Sequence, residues 1–531
     1  MKISFVYLPA GLFLAGCQVP EPTLPEGPRP VAYSVLEGFE LSETKASSVL
    51  EPIHVLGGSQ AADQEGVDAP TVGIEFEDLM NSVERHFPLI LAAEEEIEIA
   101  EGRLLAAQGG FDTKVKSKNL SEVTGFYESD RYDIGFEQPT SLWGTTILGG
   151  YRLGKGSFAV YDGDKKTNKK GEFRAGVRLP LLQGRAIDLR RADLWQARIE
   201  REQADPVVLQ KRLEAMRKAA ATYWKWVSAG RLREIDLRLL DLAKNRMENV
   251  KEAVNEGLLA PIDLVENQRL IVDRESKLID SQLTLQEAAI AVSLYWRDGA
   301  GRPRVPTDEA LPYDFPQPRD VAEILVEDDE ILAVEQRPEV RTLELEMQRM
   351  RLERERAGNT LLPRLDLDLY ASQDFGSAAN DPDDKGDSEI TAFLTLDVPL
   401  QRRKAKGKVR ELDAKISKLE RTAQFAKEII VSEIQEARAV LSQDWLRIAQ
   451  ATENVRLANE IADAERFKLS AGESDLLRVN LREQQAASAA SSLIKVLQEY
   501  FVALTNYRAV LGIPHRALPP TGGSAGSPGS E

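Results

Sequence analysis

Cysteine and histidine are nearly absent from this chain of 531 residues, which contains one cysteine and three histidines. A single cysteine excludes a disulfide framework within the chain. No group of Cys and His residues has the spacing of a metal site, because the histidines are widely separated at His54, His86 and His515. No serine, cysteine or paired-carboxylate pattern stands out from the charged background, so the sequence predicts no enzyme.

Aromatic residues are also scarce, at 6%, whereas charged residues reach 29%. Long stretches rich in Ala, Glu, Leu, Lys and Arg are typical of long helices. The formal net charge of -18 disfavours nucleic acid as a partner, because binding to phosphate requires a basic surface. After the N-terminal region, no run of about 18 or more apolar residues predicts a transmembrane helix. A membrane role would therefore require a lipid anchor, a β-barrel, or both.

The single cysteine lies in an informative context. Residues 1–17 read MKISFVYLPAGLFLAGC, with Lys2 before an apolar run and small residues before Cys17. This order is similar to a bacterial lipobox, in which a signal peptide, here residues 1–16, is removed and the cysteine is acylated. The alternative is a buried apolar strand with an incidental cysteine. Gln18 is not the Asp that marks inner-membrane retention, so outer-membrane sorting is expected, with lipid on Cys17 as the only attached group and no other cofactor.

Three segments have the composition of connections. Residues 17–75 are rich in Pro, Gly and acids and are expected to form a lipidated N-terminal tether. Residues 298–337 are rich in Pro and acids and are expected to connect two larger regions. Residues 513–531 are expected to be a disordered tail.

The two larger regions repeat one order of elements: helix, strands, long helix, tight turn and helix. The first copy is assigned to 76–297 and the second to 338–512. Two pairs of landmarks lie at nearly the same offset, which makes chance similarity a poor explanation. The pairs are Leu179-Pro180-Leu181 with Val398-Pro399-Leu400, and Gly257 with Gly472.

The predicted helices are unusually long. At about 1.5 Å per residue, the two longest would measure roughly 105 Å and 100 Å, which suits a tube across the periplasm and exceeds a compact domain. Helices are predicted at 76–108, 186–256 with a kink at Pro206, 262–297, 338–358, 405–471 and 475–512. Strands are predicted within 111–181 and 361–400.

Several predicted strands alternate between apolar and polar residues. Each is about as long as the 9–11 residues that a tilted strand needs to cross a bilayer, and the apolar residues would face lipid. A soluble sheet packed on helices gives the same pattern, so the alternation alone leaves both interpretations open. The candidates for lining a barrel lumen are Arg174, Arg178, Asp366, Asp368 and Asp397.

Taken together, several segments resemble the TolC-like outer-membrane efflux protein family, also called outer-membrane factors, in a lipoprotein form. They are 179–185 (LPLLQGR), 221–236 (ATYWKWVSAGRLREID), 255–268 (NEGLLAPIDLVENQ), 359–372 (NTLLPRLDLDLYAS) and 470–484 (SAGESDLLRVNLREQ). The resemblance covers roughly 76–512. It implies an α+β fold with a long antiparallel α-helical coiled-coil barrel, transmembrane β-barrel strands, two internal repeats and a trimeric tunnel.

The family forms a 12-stranded barrel with four strands from each subunit. Residues 121–172 are longer than a simple hairpin needs. Segment 145–154 (TTILGGYRLG) either extends the strands or forms an extracellular excursion, so the strand boundaries in 111–181 stay open. Segment 149–157 (GGYRLGKGS) is a near miss to a phosphate loop, but Gly156 replaces the Ser or Thr that binds magnesium, which favours a barrel loop.

The function implied by the resemblance is a passive outer-membrane channel subunit of a tripartite efflux or type I secretion system. Its partners would be two further copies in a homotrimer, a periplasmic adaptor (membrane fusion protein), an inner-membrane pump and outer-membrane lipid. It would be lipid-anchored in the outer membrane of a Gram-negative-type bacterium and extend into the periplasm. The alternative is a lipid-anchored coiled-coil adaptor or scaffold without a pore, which would not need membrane-length strands.

The family uses its periplasmic turns as the pore constriction, and these correspond here to Gly257, Asp263 and Gly472. Asp475 is a gate candidate because three acids around one axis would select against anions. The alternative is a helix end, in which Ser474 caps the helix and Asp475 complements its dipole. Arg478 is the second gate candidate and is placed to pair with Asp475 at i,i+3. Asp263 is more simply an N-terminal helix acid after Pro261.

Overall fold

The computed structural model describes residues 73–158, 166–377 and 388–514. Cys17, His54, His515, the signal peptide, most of the tether and nearly all of the predicted tail lie outside these residues. The described chain forms two compact units. The first comprises the described parts of Ile99–Glu202 and Leu345–Arg421, and the second comprises residues 73–98, Gln203–Glu344 and the described part of Thr422–Glu531.

Helices account for most of the described chain. They are α1 (Phe76–His86), α2 (Pro88–Gln108), α3 (Leu189–Asn255), α4 (Pro261–Ser293), α5 (Val321–Ile324), α6 (Asp329–Gln336), α7 (Pro338–Asn359), α8 (Arg403–Ser470) and α9 (Leu476–Val510). The strands are β1 (Lys114–Glu122), β2 (Ser129–Pro139), β3 (Thr146–Gly156), β4 (Glu172–Pro180), β5 (Arg364–Asp374) and β6 (Glu389–Asp397).

The long helices agree closely with the sequence prediction. Helices α3 and α8 have 67 and 68 residues and are each about 100 Å long. Pro206 lies inside α3. Among the helices of the described residues, none combines the length and apolar character needed to cross a membrane.

The single helix predicted at 76–108 is wrong in one respect, because the chain divides it into α1 and α2. Phe87, between them, has an extended backbone with φ -75° and ψ 119°. The ring of Pro88 disfavours helical geometry at the preceding residue, which explains the break. The prediction treated Pro88 as part of the helix interior, whereas it is the first residue of α2.

The first unit contains one sheet in which six strands follow each other in chain order, each antiparallel to the next. The implied contribution of four strands is therefore wrong for the described chain. Region 111–181 supplies four strands and region 361–400 supplies two. The long segment 121–172 provides the room for the additional hairpin, β2–β3.

Beside the sheet, the first unit has a small helical core. Ile187, Ala192 and Ile199 of the α3 region pack with Leu345 and Leu352 of α7. These are buried apolar side chains, and full burial of one such Leu or Ile is worth about 1.5–3 kcal/mol. Most charged side chains of α7 are half-buried, and Arg349 lies 3.3 Å from Glu200 of α3.

The second unit has a larger core that includes stacked aromatic rings. Trp224 of α3 stacks on Phe501 of α9 at a centroid distance of 4.6 Å. The segment predicted to connect the two repeats is fixed to this core. Tyr500 donates a hydrogen bond to the carbonyl of Arg319 (2.8 Å), and the amide of Val326 donates to the hydroxyl of Tyr507 (3.0 Å). Burial raises the pKa of Tyr507 to about 12, so this hydroxyl stays neutral.

Candidate functional site

One face of the sheet carries the five predicted lumen candidates. In the β4–β5 register Arg178 lies opposite Asp368, and in the β5–β6 register Arg364 lies opposite Asp397. Because alternate residues share a face, Arg174, Arg178, Asp366, Asp368 and Asp397 all lie on this one face, called here the charged face. Their role in lining a lumen stays a prediction.

The charged face extends over the strands that the sequence did not resolve. Asp133 of β2 accepts from Arg131 Nε (2.7 Å) and from Arg152 Nε of β3 (2.8 Å). Arg178 Nε of β4 lies 2.7 Å from Asp368 Oδ1 of β5. The alternation of Arg131, Asp133 and Glu137 is the sequence signal that indicates β2. A concavity of about 260 Å³ lies on this face.

The opposite face, called here the apolar face, is exposed. Ile390 and Leu394 of β6 are 84% and 65% exposed, and Leu394 lies opposite Leu367 of β5. Further large apolar side chains are exposed on β1 to β4: Val115, Ile134, Phe136, Ile147 and Phe173. An exposed apolar surface that crosses a whole sheet marks a contact with lipid or another protein.

The two predicted periplasmic turns have the same local geometry. Gly257 and Gly472 have φ of +72° and +76°, a conformation that favours glycine. After each glycine the next amide reaches back to the helix, from Leu258 to the Ala253 carbonyl and from Glu473 to the Lys468 carbonyl, both at 2.8 Å. Each is a Schellman motif, which ends the helix and satisfies its free carbonyls.

Asp475 caps the start of α9. Its Oδ1 accepts from the Arg478 amide at 2.8 Å, and its Oδ2 lies 3.4 Å from Arg478 Nε. The predicted cap at Ser474 is wrong, because Asp475 occupies the cap position and the Ser474 hydroxyl contacts Glu465 instead. The predicted pairing of Asp475 with Arg478 is confirmed. Their side chains are 59% and 66% exposed, and a pore role for either stays a prediction.

Asp263 acts at the equivalent end of α4. Its Oδ2 accepts from the Ala260 amide at 2.9 Å, and Pro261 is the first helical residue. The prediction of an N-terminal helix acid after Pro261 is confirmed. Asp475 and Asp263 thus satisfy backbone amides at two helix starts, each a few residues after a turn glycine.

Glu483, which was not predicted from the sequence, has a side chain with 0% exposure. Arg466 Nε of α8 lies 3.0 Å from Glu483 Oε1, and Arg274 Nη2 of α4 lies 3.5 Å from Oε2. Arg246 Nη2 of α3 also pairs with this carboxylate. One acid on α9 therefore joins arginines from three other helices, an arrangement called here the Glu483 cluster.

The signal for Glu483 lies in the helix periodicity. Buried α9 residues recur at spacings of three and four: Leu476, Val479, Glu483, Ala486, Ala490, Leu493 and Leu497. An acid in such an apolar stripe requires partners, because an unpaired buried charge is costly. Burial lowers the pKa of Arg274, and the charge of Glu483 opposes that shift. The guanidinium stays protonated in any case.

The near-miss phosphate loop has no phosphate-loop geometry. Residues 149–156 lie in β3, where all of them pair with β2 and residues 149–152 also pair with β4. The chain after them does not enter a helix N-terminus within the described residues. Across residues 73–158, 166–377 and 388–514, no group of three or more His, Cys, Asp or Glu residues is placed to hold a metal ion.

No protein-family model matches the sequence, and no curated protein matches it significantly. The fold, by contrast, has clear relatives among solved structures. The outer-membrane channel MtrE of Neisseria gonorrhoeae, solved in its open state, aligns with 88% of this chain and 97% of its own (TM-score 0.58, 14% identity). The outer-membrane channel CmeC of Campylobacter jejuni aligns with 89% of this chain and 94% of its own (TM-score 0.56, 13% identity).

The outer-membrane protein VceC of Vibrio cholerae covers 82% of this chain and 96% of its own, with a TM-score of 0.56 and 14% identity. At such low sequence identity, the similarity shows a shared fold and no more. The fold is that of the TolC-like outer-membrane factors, as the sequence resemblance predicts.

Proposed function

We propose that the protein is an outer-membrane channel subunit and acts as a passive conduit in a homotrimer. The two-faced sheet is the observation that carries this proposal. Its strands have 9 to 11 residues, which matches the length of tilted strands that cross a bilayer. An apolar face turned to lipid and a charged face turned to water are what a barrel with a wet lumen requires.

The helices support the same function. Helices α3 and α8 are each about 100 Å long, which is a suitable length for a tunnel wall in the periplasm. The matching Schellman turns at Gly257 and Gly472 support two internal repeats. MtrE and CmeC, which share the fold, are outer-membrane channels.

The partners follow from the family resemblance. An inner-membrane pump would supply the energy, and a periplasmic adaptor would join it to the trimer in a tripartite efflux or type I secretion system. A lipid on Cys17 would add a second attachment to the outer membrane. The cargo would be selected mainly by the pump.

Planar bilayer recordings test the conduit with two matched cysteine variants. Thr391 lies on the charged face and its neighbour Ala392 on the apolar face. A charged, water-soluble thiol reagent is expected to change the ion current through Thr391→Cys channels. The current through Ala392→Cys channels, and through channels without either substitution, is expected to stay the same. Membrane-bound protein without discrete conductance would contradict the proposal and favour the scaffold. An equal response from both variants would also contradict a lumen on the charged face.

A further inference from the structure

The β2–β3 hairpin has no counterpart in the four-strand arrangement that the resemblance implies. Strand β1 follows α2, β4 precedes α3, β5 follows α7 and β6 precedes α8. These four strands have the positions of the family's four. The hairpin β2–β3 is inserted between β1 and β4 and pairs with both.

The hairpin has the same two faces as the rest of the sheet. Each of its strands has 11 residues, and residues 129–156 pair in register from Ser129–Gly156 to Pro139–Thr146. Ile134 and Phe136 are exposed on the apolar face, whereas Asp133 and Arg152 pair on the charged face. A loop in water would not need this division, so the hairpin has the character of membrane wall.

The sheet has two unpaired edges among the described strands. Strand β1 pairs only with β2, and β6 pairs only with β5. Both edge strands have nine residues, and nearly all their residues are exposed. Unpaired amides and carbonyls along such edges are available for pairing with another chain. In lipid they must be paired, because no water satisfies them.

The stagger of the sheet fits closure with all six strands. Successive partners of Lys114 lead through Glu137, Leu148, Gly176 and Tyr370 to Thr391. Thr391 precedes Asp397, the last residue of β6, by six positions. If Lys114 of the next copy lies at the level of Asp397, one circuit from β1 to the next β1 shifts the register by six residues. Six residues of about 3.3 Å along the strand, over six strand-to-strand spacings of about 4.8 Å, correspond to a strand tilt of roughly 35°. Strands in membrane barrels tilt by about 35–45°.

We propose that three copies close into an 18-stranded barrel, in which β6 of one copy pairs with β1 of the next. This inference rests on the proposed function, from which it takes the number of copies. Pairing Lys114 with Asp397 keeps each charged face continuous with the next and sets opposite charges against each other. The same register sets Glu122 opposite Glu389 at the other end, where both side chains are exposed.

The consequence is a wider passage through the outer membrane. Barrel diameter grows roughly in proportion to strand number, so 18 strands give about 1.5 times the width of 12 at similar tilt. The outer part of the conduit would then admit bulkier solutes than a 12-stranded barrel does.

Disulfide trapping tests the seam. In the proposed register Asn119 lies opposite Ala392 of the neighbouring copy. The double variant Asn119→Cys with Ala392→Cys would therefore place two cysteines with their Cα atoms about 4.5–5.5 Å apart, which is within the range of a disulfide. Within one chain these strands are separated by four others. Mild oxidation of the membrane-embedded double variant is therefore expected to give covalent products of two and three chains on denaturing gels, with none beyond three.

Controls separate this inference from the proposed function. Each single variant is expected to run as a monomer after denaturation. The same is expected of the double variant Asn119→Cys with Phe393→Cys, because these two side chains lie on opposite faces of the sheet. If the largest covalent product contains two chains, the 18-stranded barrel is wrong, and a barrel of two copies with 12 strands is indicated instead. Absence of products from channels that still conduct would overturn the seam alone. Absence of both products and conductance would overturn the proposed function as well.

Discussion

At the scale of single residues, Glu483 connects more helices than any of the site residues predicted from the sequence. Its carboxylate neutralises part of the charge of Arg274 and Arg246, which are 3% and 13% exposed, and it also pairs with Arg466, which is 38% exposed. The net contribution of a buried ion pair is often small, because desolvation offsets the attraction. Removing the carboxylate is different, since Arg274 and Arg246 would stay buried without compensation.

Glu483→Ala is therefore expected to destabilise the second unit by about 3–5 kcal/mol. The matched control is Glu460→Ala, because Glu460 pairs with Arg456 at 3.1 Å while both side chains are well exposed. Such a surface pair contributes about 0–1 kcal/mol. Thermal unfolding of the detergent-solubilised protein measures both. Equal melting temperatures for the two variants would contradict a structural role for the Glu483 cluster.

Substitutions can separate the cap role of Asp475, which its hydrogen bond to the Arg478 amide shows, from its predicted role in a cation-selective ring. As a cap it needs only an acceptor, which Asn also provides, whereas a cation-selective ring needs the charge. Asp475→Asn is expected to keep the stability of α9 and to lower cation selectivity, measured as reversal potential across a salt gradient. Asp475→Ala should lower selectivity equally and also cost about 0.5–2 kcal/mol.

Two further variants complete that experiment. Asp263→Ala, at the equivalent helix start, is expected to change selectivity little and to cost about 0.3–1 kcal/mol of helix-end interaction. Arg478→Ala is expected to increase leak with little change in selectivity, because it removes a neighbour that restrains Asp475. Unchanged selectivity in Asp475→Asn would leave Asp475 as a cap only.

At the scale of elements, the sheet gives a direct test of which face meets lipid. Leu394→Arg places a charge on the apolar face and is expected to cost about 2–4 kcal/mol near the bilayer midplane. Thr395→Arg, one residue later, places the same charge on the charged face opposite Asp366. Heat-modifiable migration of the outer-membrane fraction measures assembly. Equal assembly of both variants would remove the support for a membrane-spanning sheet.

The elements also show which parts of the structure the sequence could predict. The ends of α3, α4, α8 and α9 follow from strong helical patterns interrupted by Gly257 and Gly472, and the predictions are within a few residues. Strands β4, β5 and β6 follow from strict alternation. The β2–β3 hairpin was not resolved because Gly149 and Gly150 interrupt the alternation of β3. Glu483 was overlooked because only its position in the apolar stripe of α9 distinguishes it from the many other charged helical residues.

At the scale of the whole molecule, the composition fits the two parts of the structure. The scarcity of long apolar runs is compatible with a membrane protein if alternate residues of a sheet face lipid. The apolar residues of β6, for example, are separated by Thr391, Phe393 and Thr395 on the charged face. The many charged residues lie mainly on helices with exposed surfaces, which suits a water-filled compartment.

Membrane attachment through two independent routes is the last prediction at this scale. The lipobox-like order before Cys17 predicts an acyl anchor, whereas the apolar face of the sheet provides attachment without lipid. Cys17→Ser is therefore expected to abolish metabolic labelling with palmitate and to leave the precursor uncleaved, while heat-modifiable oligomers still form in the outer membrane. Gln18→Ser, beside the same site, should leave labelling unchanged. Lipid that persists on the Cys17→Ser protein would refute the anchor. Complete loss of membrane association would instead show that the sheet does not insert by itself.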